Sequence, residues 1–125
     1  MCCRLFRLTF MDITKYLGKQ TNVVVDRPLG SRHPKYRFVY KVNYGYVPGT
    51  KAPDGEEIDA YVLGVGKPVS KISGTCIAII HRTNDEDDKL IVTVNNKEFS
   101  DAEIEELVEF QEKWFKHIIV RRKIN

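Results

Sequence analysis

The residues of this chain with the clearest chemical potential are three carboxylates in one short segment, Asp54, Glu56 and Asp59. On an extended backbone Asp54 and Glu56 face the same way, whereas Asp59 lies an odd step further on and needs a bend to join them. Converging carboxylates repel one another unless cations sit between them, and hard oxygen ligands suit Mg²⁺, Mn²⁺ or Ca²⁺ rather than zinc. The segment therefore predicts a divalent-cation site.

A second acidic segment, residues 85–88, lies between two apolar runs. If the fold brings both acidic segments to one rim, their carboxylates form a single cluster. The alternative is that both are ordinary solvated loops, which acid-rich segments often are, and spacing alone favours this interpretation. The first segment is not a calcium EF-hand, because the terminal Glu of that loop and the flanking helices are missing.

Cationic and hydroxyl-bearing side chains accompany these acids. Arg32, Lys35 and Lys89 are available to bind an anionic substrate, and arginine suits bidentate phosphate contacts. Three tyrosines add hydroxyl donors, with packing in strands or loops as the alternative role: Tyr40, Tyr44 and Tyr46. Metal-binding acids surrounded by cations and tyrosines form a constellation suited to phosphoryl transfer.

Hydrophobic patterning predicts the strands that must position these residues. Short β-branched and aromatic runs predict five of them, at residues 23–25, 36–42, 60–65, 75–81 and 90–94. Gly and Pro residues predict a long loop over residues 43–58. Loops of that length in a compact chain tend to be functional or disordered.

The clearest helix begins at Ser100, where a capping box pairs Ser100 with Glu103. Apolar residues then follow on one helical face, at positions 104, 107, 108, 114, 115 and 118. Asn95 and Asn96 predict a turn before it. Short strands, glycine-rich turns and this helix predict an α+β, mainly β fold: a small five-stranded barrel with a long C-terminal helix packed outside.

Length and composition predict one domain at residues 12–125, preceded by a flexible extension at residues 1–11. The net charge of +3, spread among acids, lacks the clustered basic face of nucleic-acid-binding domains. Three cysteines without a paired framework predict free thiols, with Cys76 buried in an apolar run. No apolar stretch approaches the roughly 18 residues of a membrane span. We therefore predict a cytoplasmic protein with no membrane partner.

Two segments resemble the signature of the soluble family I inorganic pyrophosphatases. Residues 43–48 match the Asn-Tyr-Gly segment of that family, and residues 54–59 match its Asp-x-Asp-x-x-Asp segment. The resemblance extends from about residue 23 to about residue 116 and is closest to a short branch of the family. The two segments are specific together, although neither is specific alone. The family fold, a five-stranded OB-type barrel with helices outside, agrees with the predicted strands.

The resemblance implies roles for the matching acids. Asp54 and Asp59 would bind Mg²⁺, with Mn²⁺ as the alternative metal. Glu56 would accept a proton from the metal-bound water that attacks phosphorus. Two later acids would bind further Mg²⁺: Asp87 and, in competition with Asn84, Asp85.

The resemblance also implies which residues meet the substrate. Phosphate-binding positions fall on Arg32, Lys35, Tyr44, Lys89 and Lys116. Asp26 and Tyr40 would support the site from outside the direct metal ligands. Family members usually assemble into multimers, so the resemblance implies a homo-oligomer.

Three departures from the family pattern bear on rate and substrate. Glu56 replaces an Asp, and its side chain is longer by one methylene, about 1.5 Å. A catalytic group misplaced by about 1 Å can lower the reaction rate roughly 10²-fold. Phe115 precedes Lys116 where the family has a Tyr-Lys pair. Residues 29–34 are too few for the family's lysine-bearing hairpin, which leaves Lys35 as its substitute.

The sequence thus predicts an inorganic diphosphatase, which hydrolyses pyrophosphate to two phosphates by attack of a metal-activated water. One alternative keeps the metal site but acts on another phosphoanhydride or a phosphate ester. Another is an OB-like module that binds single-stranded nucleic acid through aromatics and a basic groove. Nucleic acid is the less favoured partner, because acids at the rim repel phosphate unless metal intervenes.

Overall fold

The computed structural model describes residues 13–52, 55–83 and 87–121. The predictions for Asp54, Asn84, Asp85 and the extension at residues 1–11 lie outside the described residues. The elements are, in chain order, β1 (Gln20–Arg27), β2 (Asn43–Val47), β3 (Ile58–Leu63), β4 (Lys71–Arg82), β5 (Lys89–Thr93), α1 (Asp101–Glu112) and β6 (His117–Val120).

Five of these strands close into a barrel. The sheet order is β1-β2-β3-β5-β4, and antiparallel pairing of β1 with β4 closes the ring. The pair β3–β5 is parallel, whereas the other strand pairs are antiparallel. Strand β6 adds to the sheet along β4. The predicted mainly β, OB-like barrel with an accompanying helix is confirmed.

The central strands are buried on both faces, because side chains alternate between two hydrophobic clusters. On β3, Ala60 and Val62 point into the barrel interior, where they meet Val23, Cys76 and other residues of the barrel strands. The intervening Tyr61 and Leu63 belong to the second cluster, which lies between the outer face of the sheet and α1. This outer face carries the polar residues described below.

Cys76 is a buried free thiol in the barrel interior, as its apolar surroundings in the sequence predicted. Burial raises the pKa of this thiol to about 12. Within the described ranges, no helix combines the length and the apolar character of a membrane span.

The predicted strands in β1, β3, β4 and β5 are confirmed with shifted ends, but the second predicted strand is wrong. Residues 36–42 are irregular apart from one bridge between Arg32 and Val39. Strand β2 instead begins at Asn43, inside the predicted loop. At Gly45 the backbones of β1 and β2 approach so closely that a Cβ added to this glycine would lie 1.9 Å from the carbonyl oxygen of Val24. A glycine that suggested a loop is thus required for strand packing.

Helix α1 begins as predicted but ends earlier. The Ser100 hydroxyl accepts from the Glu103 amide at 3.1 Å, and the Ser100 amide donates to the Glu103 carboxylate at 2.8 Å. The helix ends at Glu112, although the apolar pattern continued to position 118. The β-branched residues 118–120 pair instead with β4, where Ile118 lies opposite His81. The predicted turn at residues 95–96 is confirmed.

Candidate active site

A cavity of about 590 Å³ opens on the outer face of the barrel beside the end of α1. Strands β2, β4 and β5 and the loop before β5 supply part of its polar lining, and α1 supplies the rest. Aromatic residues of the loop before β2 and of the turn after α1 supply the other side. The lining residues are His33, Tyr36, Phe38, Tyr44, Arg82, Asp87, Lys89, Gln111, Trp114 and Phe115.

Lys89 lies between two carboxylates that the sequence analysis predicted to converge. Its Nζ is 2.6 Å from Asp59 Oδ2 and 3.0 Å from Asp87 Oδ2. Asp59 and Lys89 are register partners on the parallel strands β3 and β5, which places them side by side. The Lys89 side chain is only 3% exposed. The carboxylates of Asp59 and Asp87 therefore both contact the buried Lys89 ammonium at the edge of the cavity.

Tyr44 packs against this cluster from β2. The Lys89 Nζ is 5.6 Å from the centroid of its ring. Burial raises the pKa of Tyr44 well above its usual value, and the negative charge of Asp59 raises it further. Tyr44 therefore stays protonated at neutral pH and is available as a hydroxyl donor.

Arg82 is a cavity residue that the sequence analysis missed. Its Nε and Nη2 donate to the two oxygens of Glu112 at 3.0 and 2.7 Å, and its Nη1 lies 3.4 Å from Asp87 Oδ2. The guanidinium carbon is 3.7 Å from the centroid of the Phe115 ring. Burial alone would lower the pKa of Arg82, but the bonds and charge of Glu112 outweigh it and raise that pKa. The Arg82 guanidinium thus carries a permanent positive charge beside the cavity.

Glu112 is fixed in turn by a buried chain of hydrogen bonds. The Tyr61 hydroxyl donates to Glu112 Oε2 at 2.6 Å, and Gln111 Nε2 donates to the Tyr61 hydroxyl at 2.6 Å. The Tyr40 hydroxyl then donates to Gln111 Oε1 at 3.2 Å. These bonds connect the Tyr40 hydroxyl to Arg82 through Gln111, Tyr61 and Glu112.

Sequence patterns did carry a signal for Arg82 and Glu112. Arg82 lies two residues beyond Ile80 on β4, so it shares the outer face with the second cluster. Glu112 follows Ile104 and Val108 at helical spacing, which places it on the buried face of α1. The predicted strand stopped one residue short of Arg82.

The predicted cations Arg32 and Lys35 lie on the loop before β2 and are exposed. Arg32 Nη1 is 3.4 Å from the carbonyl oxygen of Arg37, and the Lys35 ammonium lies 5.3 Å from the Tyr36 ring. Lys116 is also exposed, and its carbonyl accepts from the Thr83 amide at 2.9 Å. The residue before it, Phe115, lines the cavity.

Asp26 lies near the end of β1, and Glu56 lies in the segment before β3. Burial raises the pKa of Asp26, and the charge of Asp59 adds to that rise against the opposing effect of Arg27. Glu56 is exposed and precedes β3, and its backbone carbonyl accepts from the Ala52 amide at 2.6 Å.

The described residues contain no group of three or more metal-ligating side chains. Two of the four predicted metal ligands, Asp59 and Asp87, are described, and both bind the Lys89 ammonium. The other two, Asp54 and Asp85, lie outside the described ranges.

These features define a class of protein: a small OB-like barrel that carries mixed carboxylate and cationic side chains on its outer face, beside a helix. A family model described as "Inorganic pyrophosphatase" matches residues 12–120. The chain belongs to the inorganic pyrophosphatase family, which confirms the resemblance and makes it an inorganic diphosphatase by class.

Solved structures of similar fold carry the same family name. The inorganic pyrophosphatase of Ehrlichia chaffeensis is 20% identical with a TM-score of 0.63, covering 81% of this chain and 84% of its own. That of Helicobacter pylori is 17% identical with a TM-score of 0.64, covering 82% and 85%. That of Thermus thermophilus is 18% identical with a TM-score of 0.59, covering 83% of each. No curated protein matches the chain.

Proposed function

We propose that this chain hydrolyses inorganic pyrophosphate to two phosphates in a Mg²⁺-dependent reaction at the cluster of Asp59, Asp87 and Lys89. Family membership supports the reaction. The observation that carries the assignment of the site is the meeting of two carboxylates at one buried ammonium, with Nζ–O distances of 2.6 and 3.0 Å.

The donor chemistry of this cluster fits a hard divalent cation. Asp59 and Asp87 offer carboxylate oxygens that already converge on a positive charge, and such oxygens suit Mg²⁺, with Mn²⁺ as an alternative. These two residues would hold the metal, and Asp54 and Asp85 are proposed as further ligands. When bound, Mg²⁺ supplies a water of lowered pKa and neutralises phosphate charge.

The chain's own cations would bind and orient the substrate. Lys89, Arg82 and Tyr44 line the cavity, and we assign them to the negative charge that increases as the phosphoanhydride breaks. Fixed donors of this kind stabilise the transition state without having to reorganise. Arg32, Lys35 and Lys116 are proposed to add positive charge from the exposed segments around the cavity.

Glu56 is proposed as the proton acceptor for the attacking water, because it precedes the strand that carries Asp59. Asp26 and Tyr40 are proposed to support the cluster. Asp26 senses the charge of Asp59, and Tyr40 bonds to the network beneath Arg82.

The test is phosphate release from pyrophosphate by the purified protein, first with Mg²⁺ and then with EDTA. Asp59→Asn is expected to lower turnover at least 10²-fold, on the order of an effect on a metal-assisted step. Glu57→Gln is the matched control, since Glu57 is an exposed acid two residues away. Thermal unfolding establishes that both variants fold. Undiminished turnover in Asp59→Asn, or in EDTA, would overturn the assignment.

We also propose a cellular location, partners and an assembly state for the enzyme. We place it in the cytoplasm, with pyrophosphate as its partner and no membrane or nucleic-acid partner, and expect a homo-oligomer. Analytical ultracentrifugation of the purified protein tests the oligomeric state, and a monomer at micromolar concentration would contradict it.

A further inference from the structure

The cavity beside Lys89 has an aromatic wall, formed by Tyr36, Phe38, Trp114 and Phe115. Tyr36 is 66% exposed and Trp114 is 57% exposed, although both line the same cavity as the buried ammonium. Contiguous exposed aromatic surface usually marks a binding site. Pyrophosphate has no apolar surface to place against it.

The aromatic wall is anchored to the core. Phe38 lies at its centre, with ring centroids 5.5 Å from Trp114, 5.3 Å from Tyr40 and 5.9 Å from Phe110. Phe110 is buried in the cluster beneath α1, so the wall rests on the rigid part of the fold. His33 packs between Tyr36 and Phe38, 5.0 Å from each ring. The wall is therefore preformed, which reduces the ordering cost of binding.

The cavity lining offers two kinds of chemistry. Lys89 and Arg82 contribute an ammonium and a guanidinium, groups that bind phosphates. Trp114 and Tyr36 contribute exposed aromatic rings, on which a nucleobase can stack. A ligand that uses both carries a phosphoanhydride and a planar aromatic group in one molecule.

We propose that the cavity binds nucleoside triphosphates as further substrates, with the phosphates toward Lys89 and Arg82 and the base against Trp114. Water attacks the terminal phosphorus, the bond from that phosphorus to the bridging oxygen breaks, and the products are a nucleoside diphosphate, inorganic phosphate and one proton. This inference rests on the proposed function, because it assigns the same phosphoanhydride chemistry to a larger substrate.

Trp114 provides a direct binding signal, because it is the single tryptophan of the chain. The probe is the non-hydrolysable β,γ-imido analogue of ATP, added with Mg²⁺ while tryptophan emission is recorded and corrected against free tryptophan. Saturable quenching is expected, with pyrophosphate producing none. The absence of quenching, or equal affinity for adenosine alone, would overturn the proposal. So would equally strong quenching by a single-stranded oligonucleotide lacking a triphosphate.

Kinetics then separate this inference from the proposed function. Phosphate release is measured from pyrophosphate, ATP and CTP. Trp114→Ala is expected to lower kcat/KM for ATP about tenfold relative to kcat/KM for pyrophosphate, a loss typical of one base stack. Trp114→Phe, which keeps a ring, is expected to restore most of that ratio. Ile118→Ala, at another exposed apolar residue after α1, is expected to leave it unchanged.

The outcomes identify which idea fails. Release from pyrophosphate but not from the nucleotides would overturn the nucleotide inference and leave the proposed function standing. Release from neither substrate by the folded wild-type protein would overturn both. An unaltered substrate ratio in Trp114→Ala would show that the aromatic wall does not bind the base.

Discussion

Arg82 and Glu112 form a buried bidentate ion pair that joins the end of β4 to the end of α1. The two N–O distances are 3.0 and 2.7 Å, and the Glu112 side chain is completely buried. Because Arg82 also reaches Asp87, this pair connects the packing of the helix to the carboxylate cluster. The helix end and the cavity are therefore one structural unit.

Loss of the Glu112 charge is expected to destabilise the protein strongly. Glu112→Gln leaves the guanidinium of Arg82 buried without its main counter-charge, which typically costs about 3–5 kcal/mol. Urea unfolding measures the change in the free energy of unfolding. Glu109→Gln, an exposed position on the same helix, is the control and should stay within about 0.5 kcal/mol of wild type. Equal stabilities of the two variants would show that the pair contributes little.

Shortening Glu56 tests whether the site follows the geometry of the family signature. Glu56→Asp is expected to keep or raise pyrophosphate turnover, since the family carries Asp at this position and a displacement of about 1 Å can change rates roughly 10²-fold. Steady-state phosphate release measures the effect, with Glu57→Asp as control. A large loss of turnover in Glu56→Asp would instead mean that the site is built for the longer side chain.

The contact between β1 and β2 at Gly45 is expected to tolerate no side chain. An added Cβ would lie 1.9 Å from the carbonyl oxygen of Val24, and backbone atoms cannot move aside cheaply. Gly45→Ala should therefore cost at least about 3 kcal/mol, the upper end of the range for overpacking. Gly66→Ala is the control, since nothing lies within 4 Å of its added Cβ. Similar unfolding midpoints for the two variants would contradict the strand register.

Stability is expected to depend on pH through His117. Its Nε2 is 2.7 Å from Glu105 Oε1. Burial lowers the pKa of His117, but the hydrogen bond to Glu105 and that to the Phe115 carbonyl outweigh it, so the pKa is raised above 6.5. The stabilisation is therefore complete below the unfolded pKa and is lost as pH rises through the folded pKa.

The matching measurement compares wild type with His117→Gln by urea unfolding at about pH 5.5 and about pH 8.5. The wild-type advantage should be larger at the lower pH by on the order of 0.5 kcal/mol, because Glu105 is half exposed and solvent screens the pair. Glu105→Gln should reduce the same pH dependence, because the bond to the Phe115 carbonyl remains. An advantage that grows with pH would reverse the assignment.

Local sequence patterns predicted much of the barrel because β-branched runs dominate β1, β3, β4 and β5. They failed at β2, where Gly45 serves a close contact that only the folded neighbour reveals. They also extended α1 too far, because the apolar residues after Glu112 fit a helix face as well as a strand. Pairing with β4 decides between those two structures, and that choice is made by tertiary contact.

Within the site, sequence patterns and the family signature identified residues that the structure brings together: Tyr44, Asp59, Asp87 and Lys89. The Arg82–Glu112 pair was missed because buried charges are recognised by their partners, which lie on distant parts of the chain. The aromatic wall was missed for a related reason. Its residues come from two separate segments that meet only when α1 packs on the barrel.

Closure of the barrel also sets an order of events in folding. Strand β1 pairs with β4 as well as with β2, so residues 20–24 must wait for partners at residues 71–75. The parallel pair β3–β5 adds another contact between distant segments. Such non-local pairings slow folding, because chain entropy is lost before the contacts form. During synthesis, β1 keeps one unpaired edge until β4 has emerged from the ribosome, and this nascent chain is the stage most exposed to aggregation.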